Sequence, residues 1–442
     1  MLNPHAYRRA QTKEPAMNSP VQTARTGRSG SPRRFLSDKA VIAICMLVTV
    51  MEGYNLIVFG SVVPLLLTDT SLQIDEQTTG LVGGIVYAGA LIGVLVGTAL
   101  ADRHGRHRIM ALAAAVFALG SALAALATTP EFLGLARLIT GIGVGGAVTT
   151  AMTLARNHAP KQRGSLVITI TMAGVPLGGT LAAVFGIFLM PLWGWRSMFW
   201  LGAGMTLVIL AVLLYVRVSE PAEVRDTTLA PAQKFTALFQ GRGWILVLFV
   251  ALAAVTNMVT WLGLNVWLAE SMKTLGFSLT QALIFAFTLT GAAVVGSWFT
   301  ATAADKVGPA KIGILCAVLT LAGLLGILLG PVSMGFALVS VALMGIGGHS
   351  TQNLINATAT SAVAPHSRGT ILGLTNSMAF TGSFLGPVLG GTAFAAGGPA
   401  GIFTLYSVSA VLCLILCAGL YLAHKSAHRP TGADLEAAPA LP

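Results

Sequence analysis

Twelve stretches of mostly apolar residues divide this chain, near 40–68, 78–101, 109–128, 131–155, 164–190, 197–217, 244–270, 280–303, 310–330, 333–360, 369–396 and 398–423. Each has the length, about 20 residues, that a helix needs to cross a hydrocarbon core of roughly 30 Å. Such spans must be helical, because a lipid-facing segment has to satisfy its own backbone hydrogen bonds. The charges a soluble surface would need are missing. Only 9% of the chain is Asp, Glu, Lys or Arg, against about 25% in an ordinary soluble domain. The chain reads as an all-α membrane protein of twelve transmembrane helices.

The basic residues set its orientation. Of the 26 Lys and Arg, 23 lie before the first span, in loops after even-numbered spans, or after the last span. By the positive-inside rule these segments face the cytoplasm, so both termini are cytoplasmic. Arg137, Arg196 and Lys273 are the exceptions. The net charge of +11 is then a topology signal spread over separate loops, and no nucleic-acid partner is expected. Residues 1–37 form a polar tail expected to be disordered, in which Met17 is an alternative start. They carry no short apolar stretch of the kind a signal peptide needs. Residues 218–243 form a linker dividing a bundle at 38–217 from one at 244–425, and 426–442 form a second tail. Cys45, Cys316, Cys413 and Cys417 fall inside apolar runs without metal-ligand spacing, so neither a disulfide nor a metal is expected.

The two halves repeat one another. Asp102-Arg103-His104-Gly105-Arg106-His107-Arg108 returns 203 residues later as Asp305-Lys306-Val307-Gly308-Pro309-Ala310-Lys311. Ala159-Pro160-Lys161-Gln162-Arg163-Gly164 returns 205 residues later as Ala364-Pro365-His366-Ser367-Arg368-Gly369. Two similar halves in a membrane protein usually serve alternating access. With the twelve spans and the six-plus-six split, these loops make residues 38–425 resemble the major facilitator superfamily. The resemblance rests on Gly97-Thr98-Ala99-Leu100-Ala101-Asp102-Arg103-His104-Gly105-Arg106, on Arg137-Leu138-Ile139-Thr140-Gly141-Ile142-Gly143 in span four, and on Gly194-Trp195-Arg196 before span six. It implies two pseudo-symmetric six-helix bundles.

Within the superfamily the chain is most similar to the aromatic acid:proton symporters. Glu52-Gly53-Tyr54-Asn55 in span one stands where that family carries Asp-Gly-Tyr/Phe-Asp. Trp261-Leu262-Gly263-Leu264-Asn265 in span seven and Gly347-Gly348-His349-Ser350-Thr351-Gln352-Asn353 in span ten fit as well. The chain departs from the family at Glu52 and at Asn55, which leaves one carboxylate in place of two. The resemblance also implies an inner gate made by Asp102, Gly105 and Arg106, with Asp305 and Arg368 in the matching loops of the second half.

Charges inside a membrane are costly and mark function by default. Glu52 lies twelve residues beyond Ala40, about 18 Å from the cytoplasmic end of its span. Arg137 lies roughly 10 Å from the outer end of span four. In a core of about 30 Å these depths are similar, so the two side chains are expected to meet or to face one cavity. Glu52 is then a proton carrier, and Arg137 a bidentate anchor for a substrate carboxylate. A buried structural ion pair is the plainer alternative. Polar stripes at helical spacing, Asn257, Trp261 and Asn265 in span seven and His349, Gln352, Asn353 and Asn356 in span ten, are expected to line the cavity with Tyr54 and Asn55. Hydrogen bonding between helices is the competing role for such residues.

Gly141, Gly143, Gly145 and Gly146 sit inside a span without a preceding strand, so they are packing sites and not a nucleotide fingerprint. Gly174-Val175-Pro176-Leu177-Gly178-Gly179 and Gly386-Pro387-Val388-Leu389-Gly390-Gly391 resemble the glycine-proline motif of drug:proton antiporters and keep efflux as an alternative. A transporter-like receptor is a further alternative. No nucleophile–base pair or metal cluster points to an enzyme. The expectation is a monomeric inner-membrane transporter, driven by the proton gradient without a cofactor, that imports an aromatic or related organic carboxylate.

Overall fold

The apolar runs fold as helices, and the starts of four are fixed by short-range side-chain caps. Ser37 and Asp75 cap the first two helices, their side chains accepting from the Ala40 and Thr78 backbone N–H groups at 3.4 and 2.7 Å. Thr129 caps the fourth, with Pro130 in the first turn, where its missing N–H costs nothing. Ser278 and Gln281 form a reciprocal capping box. A computed structural model describes residues 36–160, 170–216, 243–364 and 367–427, with residues 167, 218, 236, 238 and 239 between them. Its helices are α1 (Asp38–Leu66), α2 (Glu76–His104), α3 (Arg106–Ala125), α4 (Pro130–Asn157), α5 (Gly174–Trp193) and α6 (Arg196–Tyr215) in the first half. In the second half they are α7 (Gly243–Thr274), α8 (Leu279–Val307), α9 (Pro309–Leu329), α10 (Met334–Ser361) and α11 (Arg368–Ala427).

Helix α11 is two crossing segments run together. Sixty residues of straight helix would reach about 90 Å, three times the hydrocarbon core. Gly397 and Gly398 leave helical geometry, Gly398 at φ 56°, and Pro399 starts the return arm. The arms lie against each other, for the Tyr406 hydroxyl donates to the Gly386 carbonyl at 3.1 Å. The eleven long apolar helices therefore supply twelve crossing segments.

The internal repeat of the sequence is a repeat of packing. In the first half α2 lies on α4, α3 on α4 and α6, and α1 on α5. In the second half α8 lies on α10, α9 on α10 and α11, and α7 on α11. Contacts between the halves repeat too, with α2 against α11 and α5 against α8. The paired loops share a backbone shape: Gly105 sits at φ 90°, ψ 143° and Gly308 at φ 101°, ψ 141°. Both stop a helix in a left-handed conformation that side chains with a Cβ resist. The two six-helix bundles are thus related element by element. The expected tails and linker fall almost wholly outside the described residues, as do Lys161 to Gly164, Pro365 and His366.

One end of the first half is fastened by the Gly194-Trp195-Arg196 motif. Trp195 Nε1 and Arg196 Nη1 donate to Asp69 Oδ2 at 2.8 and 3.0 Å. The Ser71 N–H and hydroxyl donate to Asp69 Oδ1 at 2.9 and 2.6 Å. Arg196 Nη2 also reaches the Ala127 carbonyl at 3.0 Å, and its guanidinium lies 4.3 Å from the Trp195 ring centroid. Three separate turns are joined in this way. Partial burial pushes the Asp69 carboxyl up, but the Ser71, Trp195 and Arg196 donors outweigh it and hold the group well below the usual carboxylate range. The stability it contributes is complete above the unfolded value of about 3.9 and is lost as pH falls through the lower folded value. Asp69→Asn is expected to lower thermal stability in detergent by about 2 kcal/mol near neutral pH. Melting curves at about pH 7 and about pH 3.5 check this, with the gap to the parent protein narrowing in acid.

Candidate functional site

The seam between the halves is closed toward one end and hollow behind it. Pro64 lies in the last turn of α1, and its carbonyl accepts from Lys273 Nζ of α7 at 2.6 Å. One turn deeper, α1 and α7 run backbone to backbone: a Cβ on Gly60 would lie within 1.7 Å of the Asn265 carbonyl oxygen. The α2–α11 crossing is equally close at Gly80 and Gly84, whose added Cβ atoms would meet the carbonyl oxygens of Pro387 and Phe384 at 2.5 and 2.6 Å. Only small residues permit such approaches.

Behind this closed end lies a cavity of about 250 Å³ shared by both halves. Leu56, Ile57, Met152, Met258, Leu262 and Phe380 make much of its wall apolar. The polar lining comes from Glu52, Tyr87 and Thr149 of the first half and from Trp261, His349, Gln352, Asn353, Asn356, Asn376 and Ser383 of the second. An apolar cavity of roughly 150 Å³ already holds a benzene ring, so this one takes a ring with its substituents. Glu52 is the one charged lining residue among those described. It is 5% exposed, and its Oε2 has no hydrogen-bond partner. Tyr87 Oη, Gln352 Nε2 and Asn356 Oδ1 are buried and unpartnered as well. Buried polar atoms are normally satisfied, and four such atoms around one hollow make a set waiting for a polar ligand.

Local sequence explains how the far wall is built. A Cβ on Gly347 would meet the Cys316 carbonyl oxygen of α9 at 2.3 Å, and one on Gly348 would meet the Trp261 ring at 2.7 Å. The two glycines therefore let α10 sit close to α9 and to the indole. His349 follows directly, its ring 5.7 Å from Trp261 and tilted by 51°. One and two turns on, Gln352, Asn353 and Asn356 continue the same face. Asn356 Nδ2 donates to Asn376 Oδ1 at 3.4 Å, which joins α10 to α11.

Five residues expected at the cavity are placed elsewhere. Arg137 is 1% exposed and does not line it. Its Nη1 and Nη2 donate to the Asn55 and Leu56 carbonyls of α1 at 2.6 and 3.2 Å, and its guanidinium carbon lies 5.1 Å from the Phe59 ring centroid. Equal depth brought Arg137 to α1, where it bonds backbone carbonyls and forms no ion pair with Glu52. Asn55 donates to the Met51 carbonyl at 2.8 Å and accepts from the Ser121 hydroxyl. The Tyr54 hydroxyl donates to the Met198 carbonyl at 2.8 Å. Asn265 Nδ2 donates to the Trp261 carbonyl at 2.7 Å. Asn257 Nδ2 donates to the Gly348 carbonyl at 3.1 Å, so it supports α10 from behind. Sequence reasoning missed Tyr87, Thr149, Asn376 and Ser383; a lone tyrosine or asparagine in an apolar span was the available signal. Of the expected gate residues, Asp102 and Arg106 lie 3.9 Å apart on either side of Gly105. Asp305 and Arg368 are exposed at the end of α8 and the start of α11.

Residues 45–387 match the Major Facilitator Superfamily. Over 80% of its length and 80% of the relative's, the chain is 32% identical to a gentisate transporter of Corynebacterium glutamicum. It is 28% identical to a benzoate transport protein of Acinetobacter baylyi, covering 79% of this chain and 82% of that one. A 3-(3-hydroxy-phenyl)propionate transporter of Escherichia coli shares 29% identity over 92% of this chain and 99% of its own. In fold, the chain is similar to a bacterial homolog of the human lysosomal transporter Spinster, solved inward-facing and unoccupied, with a TM-score of 0.70 at 19% identity over 90% and 98% of the two chains. A D-xylose-proton symporter gives a TM-score of 0.68 at 20% identity over 86% and 97%. The chain belongs to the major facilitator superfamily.

Proposed function

We propose that this protein imports a single-ring aromatic or related organic carboxylate together with protons, by alternating access across a bacterial inner membrane. The observation that carries the proposal is the cavity: ring-sized, largely apolar, shared by both halves, with Glu52 as its one described lining charge. The names of the relatives, transporters of gentisate, benzoate and 3-(3-hydroxy-phenyl)propionate, support the substrate class. With both termini cytoplasmic, the orientation the basic loops favour, the closed end of the seam is the outer one. The structure is then inward-facing, and Asp102, Gly105, Arg106, Asp305 and Arg368 form the inner gate that tightens when the inner side shuts. One chain supplies the whole cavity, so a monomer suffices for this transport.

The roles of the charged residues follow from their placement. Two negative charges about 5 Å apart repel by about 3 kcal/mol at an effective dielectric of about 20. With Arg137 committed to α1, no lining cation offsets that repulsion. A carboxylate therefore shares the cavity with Glu52 only when Glu52 carries a proton. The substrate's own oxygens are taken by neutral donors: Tyr87, His349, Gln352, Asn353 and the Asn356–Asn376 pair. Arg137 fixes the strand of α1 carbonyls just beyond Glu52 and sets the carboxylate's position without touching the substrate.

Proteoliposomes test this directly. An inward proton gradient is expected to drive accumulation of labelled 4-hydroxybenzoate or gentisate, and an uncoupler to abolish it. Export of the same compounds against the gradient would contradict import. Glu52→Gln is expected to keep ligand binding, read as thermal stabilisation of the purified protein, and to lose proton-driven accumulation. Undiminished coupling in that variant would remove Glu52 from the carrier role. Arg137→Gln is expected to lower the stability of the ligand-free protein by about 2 kcal/mol through loss of the charge-assisted bonds to α1. A purely direct anchor would instead lose affinity at unchanged stability, and paired melting and binding curves separate the two.

A further inference from the structure

We propose that Lys273 is the latch of the outer gate, and that its ammonium passes from the Pro64 carbonyl to the Glu270 carboxylate when the gate opens. The last carbonyls of a helix have no partner within it, and α1 ends at Leu66. The backbone beyond the helix serves its neighbours: Leu67 N–H donates to the Val63 carbonyl, Thr68 N–H to Leu65 and Asp69 N–H to Leu66. Pro64 is passed over. Its carbonyl receives a long contact of 3.4 Å from the Thr68 hydroxyl and the 2.6 Å bond from Lys273 Nζ. A cation at this site also meets the negative end of the α1 dipole. Lys273 belongs to the other half of the molecule, so this one bond is a helix cap made across the seam.

The alternative partner stands one turn away on α7. Glu270 is 8% exposed, and its Oε2 lies 3.9 Å from Lys273 Nζ with no hydrogen bond of its own. Its Oε1 accepts only a 3.4 Å contact from the Thr274 hydroxyl. A buried, underused carboxylate oxygen next to an ammonium that is bonded elsewhere makes a two-position switch. With the seam closed, Lys273 joins α7 to α1. With α1 withdrawn, Lys273 closes on Glu270, and neither charge is left buried alone, the situation that makes breaking an ion pair so costly.

The word gate rests on the transport reading, but the test needs neither substrate nor gradient, so the two fail separately. In the full chain with Cys45, Cys316, Cys413 and Cys417 changed to Ala, Val266→Cys places a thiol in the closed seam; Val266 is 2% exposed and faces Gly83 of α2. The rate at which a maleimide labels that thiol in detergent reports opening. Lys273→Met, which keeps the apolar stem, is expected to raise the rate roughly tenfold, the ratio one charge-assisted hydrogen bond represents. Lys273→Arg is expected to stay near the parent rate, and Glu270→Gln, which weakens the competing acceptor, to fall below it. An unchanged rate in Lys273→Met, or a rise in Glu270→Gln, overturns the latch.

Discussion

The guanidinium of Arg137 is bonded to two α1 carbonyls, and this leaves the carboxyl of Glu52, less than one turn away, without a counter-charge. Much of the site depends on that division. Had Arg137 faced the hollow, Glu52 would have been a standing ion pair and a substrate anion would have had to compete for the cation. As it is, the cavity wall offers hydrogen-bond donors, apolar contact and a single carboxyl group among the described residues. A ring fits the apolar part and a carboxylate needs the donors. The proton needed to bring an anion beside Glu52 then links ligand binding to the gradient.

The scaffold makes this arrangement movable. The halves touch through close glycine approaches, the Lys273–Pro64 bond, a Thr180–Thr290 hydroxyl bond and apolar packing. Inside each half the helices are packed in matching patterns, α2 with α4 and α8 with α10, α3 with α6 and α9 with α11. Two packed halves that meet along one seam suit rocking about a central site. The Asp69–Trp195–Arg196 cluster adds to the rigidity by fastening three turns of the first half.

Topology was legible in the sequence because it depends on composition and length. Twelve apolar runs, the Gly105 and Gly308 loops and the turn at Gly397–Gly398 each follow from local chemistry. The face of α10 was legible too, since the Gly347–Gly348 pair forces close packing and the polar residues after it share one side. On α7 a shared face does not mean a shared cavity. Asn257 and Asn265 lie on Trp261's side of the helix, but each meets a neighbouring carbonyl before it reaches the cavity. Depth arithmetic placed Glu52 and Arg137 at one level correctly, yet depth carries no information about which side of α1 a guanidinium approaches. Tyr87 and Asn376 were hidden for a related reason: one polar residue in an apolar span does not disclose its neighbours.

Coupling of transport to the gradient turns on the protonation of Glu52 when an anion binds. Adding 4-hydroxybenzoate to the purified protein in weakly buffered detergent, at a series of rising pH values that ends where Glu52 is ionised in the ligand-free protein, and following a pH indicator, measures it. Uptake is expected to rise along the series to about one proton per carboxylate bound and to be abolished in Glu52→Gln. Binding of the carboxylate with no proton taken up at any pH in the series, in protein whose Glu52 is intact, would contradict that role.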